Sequence, residues 1–196
     1  EVLCELGVPT VLCGQLEGHP YRDVFSAVYS DDEEGGHFAA LAMKDRGRKD
    51  IVAVLGPQDN PAVVDRLRGY RAVLGEDLPD ANVIYTGWNS GDGYQAMHQI
   101  LAREIAFDGV LCGSDRIAAG VITALNEAGL SVPADVSVVG FDDHEIATRC
   151  VPALTTVRQP LREEGHMAAN IALDMIKGAE PTTTVMHMQL VQRDSL

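Results

Sequence analysis

Three residue types along this 196-residue sequence could together hold a polyhydroxylated molecule: an indole, a guanidinium and a carboxylate. Trp88 is the only tryptophan and falls in the loop Thr86–Gly93 behind an apolar run. Its flat face suits the C–H face of a sugar ring or a planar base. Arg66 lies in the first turns of a predicted helix that follows a Gly-Pro turn. A guanidinium there can fork two hydrogen bonds onto hydroxyls or a carboxylate. Asp142 directly follows the apolar run Val136–Phe141, so it either accepts hydrogen bonds from ligand hydroxyls or caps the next short helix. Each alone has a plainer reading: a packed indole, a surface arginine, a helix cap. Substituting Arg66 by Ala is expected to weaken ligand binding and spare the fold.

Templates for catalysis are not met. The sequence has no Gly-x-Ser-x-Gly elbow, its nearest approach being Gly113-Ser114-Asp115, and no phosphate-cradling glycine motif. Histidines at 19, 37, 98, 144, 166 and 187 are scattered without metal-ligand spacing, and Cys4, Cys13, Cys112 and Cys150 form no Cys-x-x-Cys. Neither a metal nor a cofactor is expected, and the chain reads as a non-enzyme. The acidic pairs Asp31-Asp32 and Glu33-Glu34 sit at a predicted helix start, where anions favour the helix dipole and Asp caps well.

Charge and composition narrow the class further. With 15 basic against 29 acidic side chains, the net charge of −14 removes the electrostatic term that gives non-specific DNA affinity. Lys44–Lys49 (KDRGRK), the one basic cluster, reads as a helix C-terminus stopped by Gly47. No apolar run nears the ~18 residues of a membrane span. Unpaired thiols fit a reducing cytoplasm, and the opening residues lack the basic start of a secretion signal.

The elements that must position these residues alternate. Strands are expected at Thr10–Cys13, Phe25–Tyr29, Ile51–Leu55, Asn82–Thr86, Gly109–Cys112 and Val136–Phe141. Helices are expected at Asp32–Asp45 (with Phe38, Leu41 and Ala42 on one face), around Val63–Tyr70, at Gly93–Arg103, Arg116–Ala128 and Leu161–Lys177. In the last, Met167, Ile171 and Met175 form the stripe. Alternation with strands apolar on both faces predicts an α/β fold of parallel sheets flanked by helices. Ligands of such sheets lie beyond the carboxyl ends of the strands. That rule selects Gly14–Gln15, Asp31, Gly56–Asn60, Trp88, Ser114–Asp115 and Asp142–Asp143.

The segment Phe107–Pro160 resembles the core of LacI/GalR-family transcription regulators. It carries their D-x-x-A-x-G helix as Asp115–Gly120, their G-x-x-V-P-x-D-V-S-V-V-G-F-D-D run as Gly129–Asp143, and their P-x-L-T-T-V-x-Q-P as Pro152–Pro160. Val8–Gly14, Asp31–Gly36, Arg66–Tyr70 (RLRGY) and Leu190–Ser195 (LVQRDS) extend the likeness over essentially the whole chain. The resemblance implies a two-lobed, periplasmic-binding-protein-like (type I) fold with a small effector between the lobes. It implies a second lobe of about 30–156 and 190–196, and a first lobe represented only by 1–29 and 157–189, hence incomplete here. The DNA-reading helix-turn-helix headpiece is not expected in this chain.

By matching motif, Arg66 would hydrogen-bond the effector, Asp142 would take its hydroxyls and Trp88 would stack on it. Ser114 would add a polar contact where many relatives have Asn, and Asn60 and Gln159 are further candidates. A sugar or polyol is the expected effector class, a purine the second; the implied assembly is a cytoplasmic homodimer that meets DNA only through the headpiece, with no membrane contact. The alternative is a periplasmic sugar-binding protein of a transport system. Two departures stand out: Gly47-Arg48 replaces a frequent Gly-His, and Cys13-Gly14 stands where several members place an acid on the first-lobe side.

Overall fold

A computed structural model describes residues 7–15, 23–103 and 105–196; Cys4 and His19 lie outside them. The chain divides into two units, one of Glu1–Asp31 with Pro160–His187 and the other of Asp32–Gln159 with Met188–Leu196.

The larger unit is a six-stranded sheet in the order β4-β3-β5-β6-β7-β9. Its strands are β3 (Ile51–Leu55), β4 (Val83–Tyr85), β5 (Gly109–Cys112), β6 (Ser137–Asp142), β7 (Thr155–Arg158) and β9 (Gln189–Val191). All neighbours run parallel except β7 and β9, so the expected parallel sheet closes with one antiparallel edge. Every residue of β3 and β5 is buried, as a central strand covered on both faces must be.

Side chains alternate between two cores. Ile51, Ala53, Leu55 and Leu111 face helices α1 (Asp32–Asp45) and α2 (Pro61–Leu74). Val52, Val54, Val110 and Cys112 face α3 (Ser90–Leu101) and α4 (Asp115–Glu127). Each helix pair packs close enough that a Cβ on Gly36 or Gly69, or on Gly93 or Gly120, would overlap the partner's backbone. Closeness also explains a difference from the sequence reading of α1. It buries its small residues Gly35, Gly36, Ala39 and Ala40 together with Ala42 and Met43, while Leu41 stays 39% exposed.

Helix ends follow their side chains. The helix expected at Gly93 begins at Ser90, because Asn89 and Asp92 form a reciprocal capping box with bonds of 3.0 Å. Gly47 ends α1 at φ +78°, a conformation that favours glycine, while its N–H returns to Lys44 O at 2.9 Å. The short helix expected after Asp142 is α5 (Ile146–Arg149), whereas strand β7 has no counterpart in the sequence reading.

The smaller unit has a three-stranded parallel sheet, β1 (Val11–Cys13), β2 (Ser26–Ser30) and β8 (Thr183–Met186), in the order β1-β2-β8. Helix α6 (Leu161–Ile176) packs on β1 and β2. Of its predicted stripe only Ile171 is buried; Met167 is 37% exposed. Among the described residues no helix is long and apolar enough to cross a membrane.

Candidate functional site

The carboxyl ends of β3, β5 and β6 gather the candidate residues of the larger unit. Arg66 does not lie on the surface, as the plainer reading had it. It is 4% exposed and points from α2 toward the strand ends. Val63, Leu67 and Tyr70 share its helix face and are buried with it. A buried guanidinium needs partners, and four groups supply them. Nε donates to Asp32 Oδ1 at 2.7 Å, Nη1 donates to the carbonyl of Gly113, and the guanidinium carbon sits 3.7 Å from the centroid of the Phe141 ring. Nη1 also lies 3.7 Å from Asp142 Oδ1. Nη2 has no hydrogen-bond partner among the described residues.

Asp142 ends β6 and does not cap α5: the N-cap residue Glu145 makes no side-chain cap bond, and the first helical N–H, that of Ile146, donates to His144 Nδ1 at 3.2 Å. Its Oδ1 accepts from Gln159 Nε2 at 3.0 Å, and a third of its side chain stays exposed. Burial pushes its carboxyl up to about 6, against the pull of Arg66; Asp32 adds to the rise and Arg116 opposes it.

Asp142 and its neighbour Asp143 both adopt positive φ, +107° and +55°. For non-glycine residues such a conformation costs about 1–3 kcal/mol each and is kept only where the surroundings impose it. Asp143 is clamped by Arg158 at 2.6 Å and Arg193 at 2.5 Å. Burial would raise its carboxyl, but hydrogen bonds and charge from these two arginines outweigh that and hold it below the usual range.

Trp88 is half-buried and lies over Gly56, at the end of β3; a Cβ there would overlap the indole. Gly56 adjoins Gly113, whose carbonyl takes Arg66, so the indole and the guanidinium belong to one cluster. Asn60 and Ser114 are helix caps. Asn60 Oδ1 accepts from Ala62 N at 3.0 Å, and Ser114 Oγ, 4% exposed, accepts from Ile117 N at 3.2 Å. The structure thus brings Arg66, Asp142, Gln159 and Trp88 together and gives Asn60 and Ser114 local bonds of their own.

Asp32, Phe141 and the Gly113 carbonyl were missed. One signal was present: Arg66 falls on the same face as Val63, Leu67 and Tyr70, and an arginine in an apolar stripe calls for a buried counter-ion. Asp32 had instead been assigned to capping. Among the described residues no group of three or more His, Cys, Asp or Glu could hold a metal ion.

Residues 40–196 match the family of periplasmic binding protein-like domains. The HTH-type transcriptional repressor PurR of Escherichia fergusonii is 36% identical over 184 residues, covering 91% of this chain and 54% of the repressor. The chain therefore spans about half the length of the curated relatives it matches. Among solved structures, a transcriptional regulator CelR–cellobiose complex superposes with a TM-score of 0.91 at 35% identity, covering 99% of this chain and 61% of that one. A LacI family transcriptional regulator from Enterococcus faecalis with bound ribose gives 0.88 at 28% identity, covering 98% and 70%. Over nearly its whole length the chain is similar to LacI-family transcription regulators, and it belongs to the family of periplasmic binding protein-like domains.

Proposed function

We propose that this chain senses a small polyhydroxylated effector, a sugar or polyol, and that it does so for a LacI-family repressor as a switch and not as a catalyst. The observation that carries the reading is the state of Arg66. It is buried, stacked on Phe141 and fixed by Asp32 and Gly113, with Nη2 unspent among the described residues beside the one-third-exposed carboxylate of Asp142. A rigid donor next to an acceptor, with an indole in the same cluster, suits vicinal hydroxyls on a ring. The sugars bound in the solved relatives support the same class. In this reading the two units correspond to parts of the family's two lobes, and DNA contact belongs to a helix-turn-helix segment of the whole regulator. The net charge of −14 supports that division of labour.

The whole protein would act as a cytoplasmic homodimer. An effector shifts such a switch only by its difference in affinity for the two states, tenfold per 1.4 kcal/mol. The test is a thermal-shift screen of sugars, polyols, sugar phosphates and nucleosides against the chain and its Asp142→Asn variant. A binder that stabilises only the folded state raises the midpoint. A sugar that does so for the parent and not for the variant supports the reading. A nucleoside behaving that way moves the effector class to purines, and a sugar equally effective on both removes Asp142 from the site.

A further inference from the structure

Asp115 opens α4 behind its cap Ser114 and is fully buried. Its carboxylate is used twice, and both bonds come from neutral donors: His144 N–H reaches Oδ2 at 2.6 Å, and the Thr156 hydroxyl reaches Oδ1 at 2.5 Å. These two donors bracket one turn. His144 is the residue after the positive-φ pair Asp142-Asp143, and Thr156 Oγ1 in turn accepts from Asp143 N at 3.4 Å. On the other side, a Cβ at Gly140 would overlap Asp115 Oδ1, so β6 runs directly against the carboxylate just before the turn.

A buried carboxyl without a cation is a poor way to fill space, since desolvation of the charged form costs several kcal/mol. What it offers instead is two acceptor atoms with fixed separation, here spent on the backbone beyond the strained pair and on the strand beside it.

We infer that Asp115 is the positioning residue of the effector site, holding the Asp142-Asp143 turn in its positive-φ conformation and so setting where the Asp142 carboxylate points. The inference rests on the assignment of Asp142 to the effector. Several titratable groups face or adjoin Asp115: Asp142 and Asp143 at the end of β6, Cys112 from β5, Cys150 after α5 and His144 beside it. Burial raises the Asp115 carboxyl to about 7, while its bonds to Thr156 and His144 pull it down and Asp142 and Asp143 add to the rise. An ionised carboxylate is the stronger acceptor, so the turn is held more firmly above that pH than below it. Asparagine at this position can accept from His144 N–H and donate to Thr156 Oγ1, keeping the bracket without the titration; alanine removes both bonds.

The experiment compares the whole chain with its Asp115→Ala and Asp115→Asn variants by amide NMR from pH 5 to 9, and by Trp88 fluorescence titration with D-ribose and with cellobiose. The expected result is that the His144 amide proton moves further between pH 5 and 9 in the parent than in Asp115→Asn, by the part that follows the Asp115 carboxyl near pH 7. The amides of Asp142, Asp143 and His144 shift together in Asp115→Ala and hold their places in Asp115→Asn. For a sugar that binds the parent, affinity falls at least tenfold in Asp115→Ala and returns to within threefold in Asp115→Asn. Unmoved turn amides in Asp115→Ala, or full affinity there, overturn the inference. If Asp115→Ala fails to fold, Thr156→Val decides, since it keeps the side-chain shape and removes one of the two bonds to Asp115; turn amides and affinity unmoved there overturn the inference. A parent that binds neither sugar counts against the effector reading instead, while the amide shifts still judge the hold on the turn.

Discussion

The two units use helices in opposite ways. In the larger one, α4 buries Asp115, Ile117, Ala118, Gly120, Val121, Ile122, Ala124 and Leu125, and its partner α3 is locked to it by Gly93 and Gly120. In the smaller one, the longer α6 buries only Glu164 and Ile171, leaving Leu161, Leu173 and Ile176 between 54% and 68% exposed. Helices α2, α3 and α4 each begin on a side-chain cap, Asn60, Asn89 and Ser114, whereas α6 begins at Pro160 with none. The difference teaches where a rigid site can be built. Arg66 and Asp142 keep strained or desolvated arrangements only because the elements behind them are packed and capped. Among the described residues nothing comparable braces α6.

The first way to break this contrast is to remove a brace. Arg66→Ala removes the guanidinium that pairs with Asp32, in a site where the Arg66 and Asp32 side chains are 5% and 14% exposed, and breaking a buried pair costs up to about 3–5 kcal/mol. The expectation that this substitution spares the fold is therefore revised: loss of binding in Arg66→Ala would report instability as much as contact. Urea unfolding followed by Trp88 fluorescence, which reports the larger unit alone, should show the loss, and an unchanged midpoint would mean that the pair contributes nothing. Slightly smaller is the core comparison. Leu111→Ala removes a side chain of 0% exposure at the centre of the sheet and should cost about 2–5 kcal/mol, while Leu173→Ala, 54% exposed on α6, should stay within about 0.5 kcal/mol. Equal effects would erase the distinction between the units.

How much of this was legible beforehand depended on whether a residue acts through pattern or through partner. Strands β3 and β5 were read to the residue, because a fully apolar run between turn signals leaves little choice. The α1 face was misread because apolarity pointed to Phe38 and Leu41, whereas contact with α2 selected the smallest side chains. At the candidate site, the rule that ligands lie beyond strand ends selected Trp88 and Asp142, and the helix motif selected Arg66, three side chains that the fold gathers at one end of the sheet. It could not find Asp32 or Phe141, which matter only through Arg66, nor foresee that Asn60 and Ser114 cap their own helices. Asp143 shows the same limit: its two arginines come from β7 and from the end of the chain, 15 and 50 residues away.

Titration sharpens the comparison within the larger unit. Asp142 and Asp115 carry folded values of about 6 and about 7, both above the usual 3.8. Between 3.8 and those values the folded state binds protons more tightly than the unfolded chain, so both groups make stability fall as pH rises, levelling off above about 7. Asp143 is shifted down and acts in the other direction, its contribution being lost as pH falls below its ordinary range. For buried Asp115 the change amounts to a few kcal/mol at most. Urea midpoints from pH 4 to 8 should therefore decline in the parent and decline less in Asp115→Asn; parallel curves would mean that Asp115 titrates normally.

The smallest effect separates capping from contact. Asn60 spends its side-chain oxygen on Ala62 N, and Asn60→Ala should cost about 1 kcal/mol, read as a lower urea midpoint for the larger unit. If capping is its whole role, the variant's affinity for an effector should match the parent's once both are measured well below their unfolding transitions. A tenfold loss of affinity, about 1.4 kcal/mol, would instead mean that the amide nitrogen reaches the ligand while the oxygen holds the helix. Asn60→Asp distinguishes these further, because it keeps the cap and replaces that nitrogen with an acceptor beside the strand ends. Affinity retained in Asn60→Ala and also in Asn60→Asp leaves the site to Arg66, Asp142, Gln159 and Trp88.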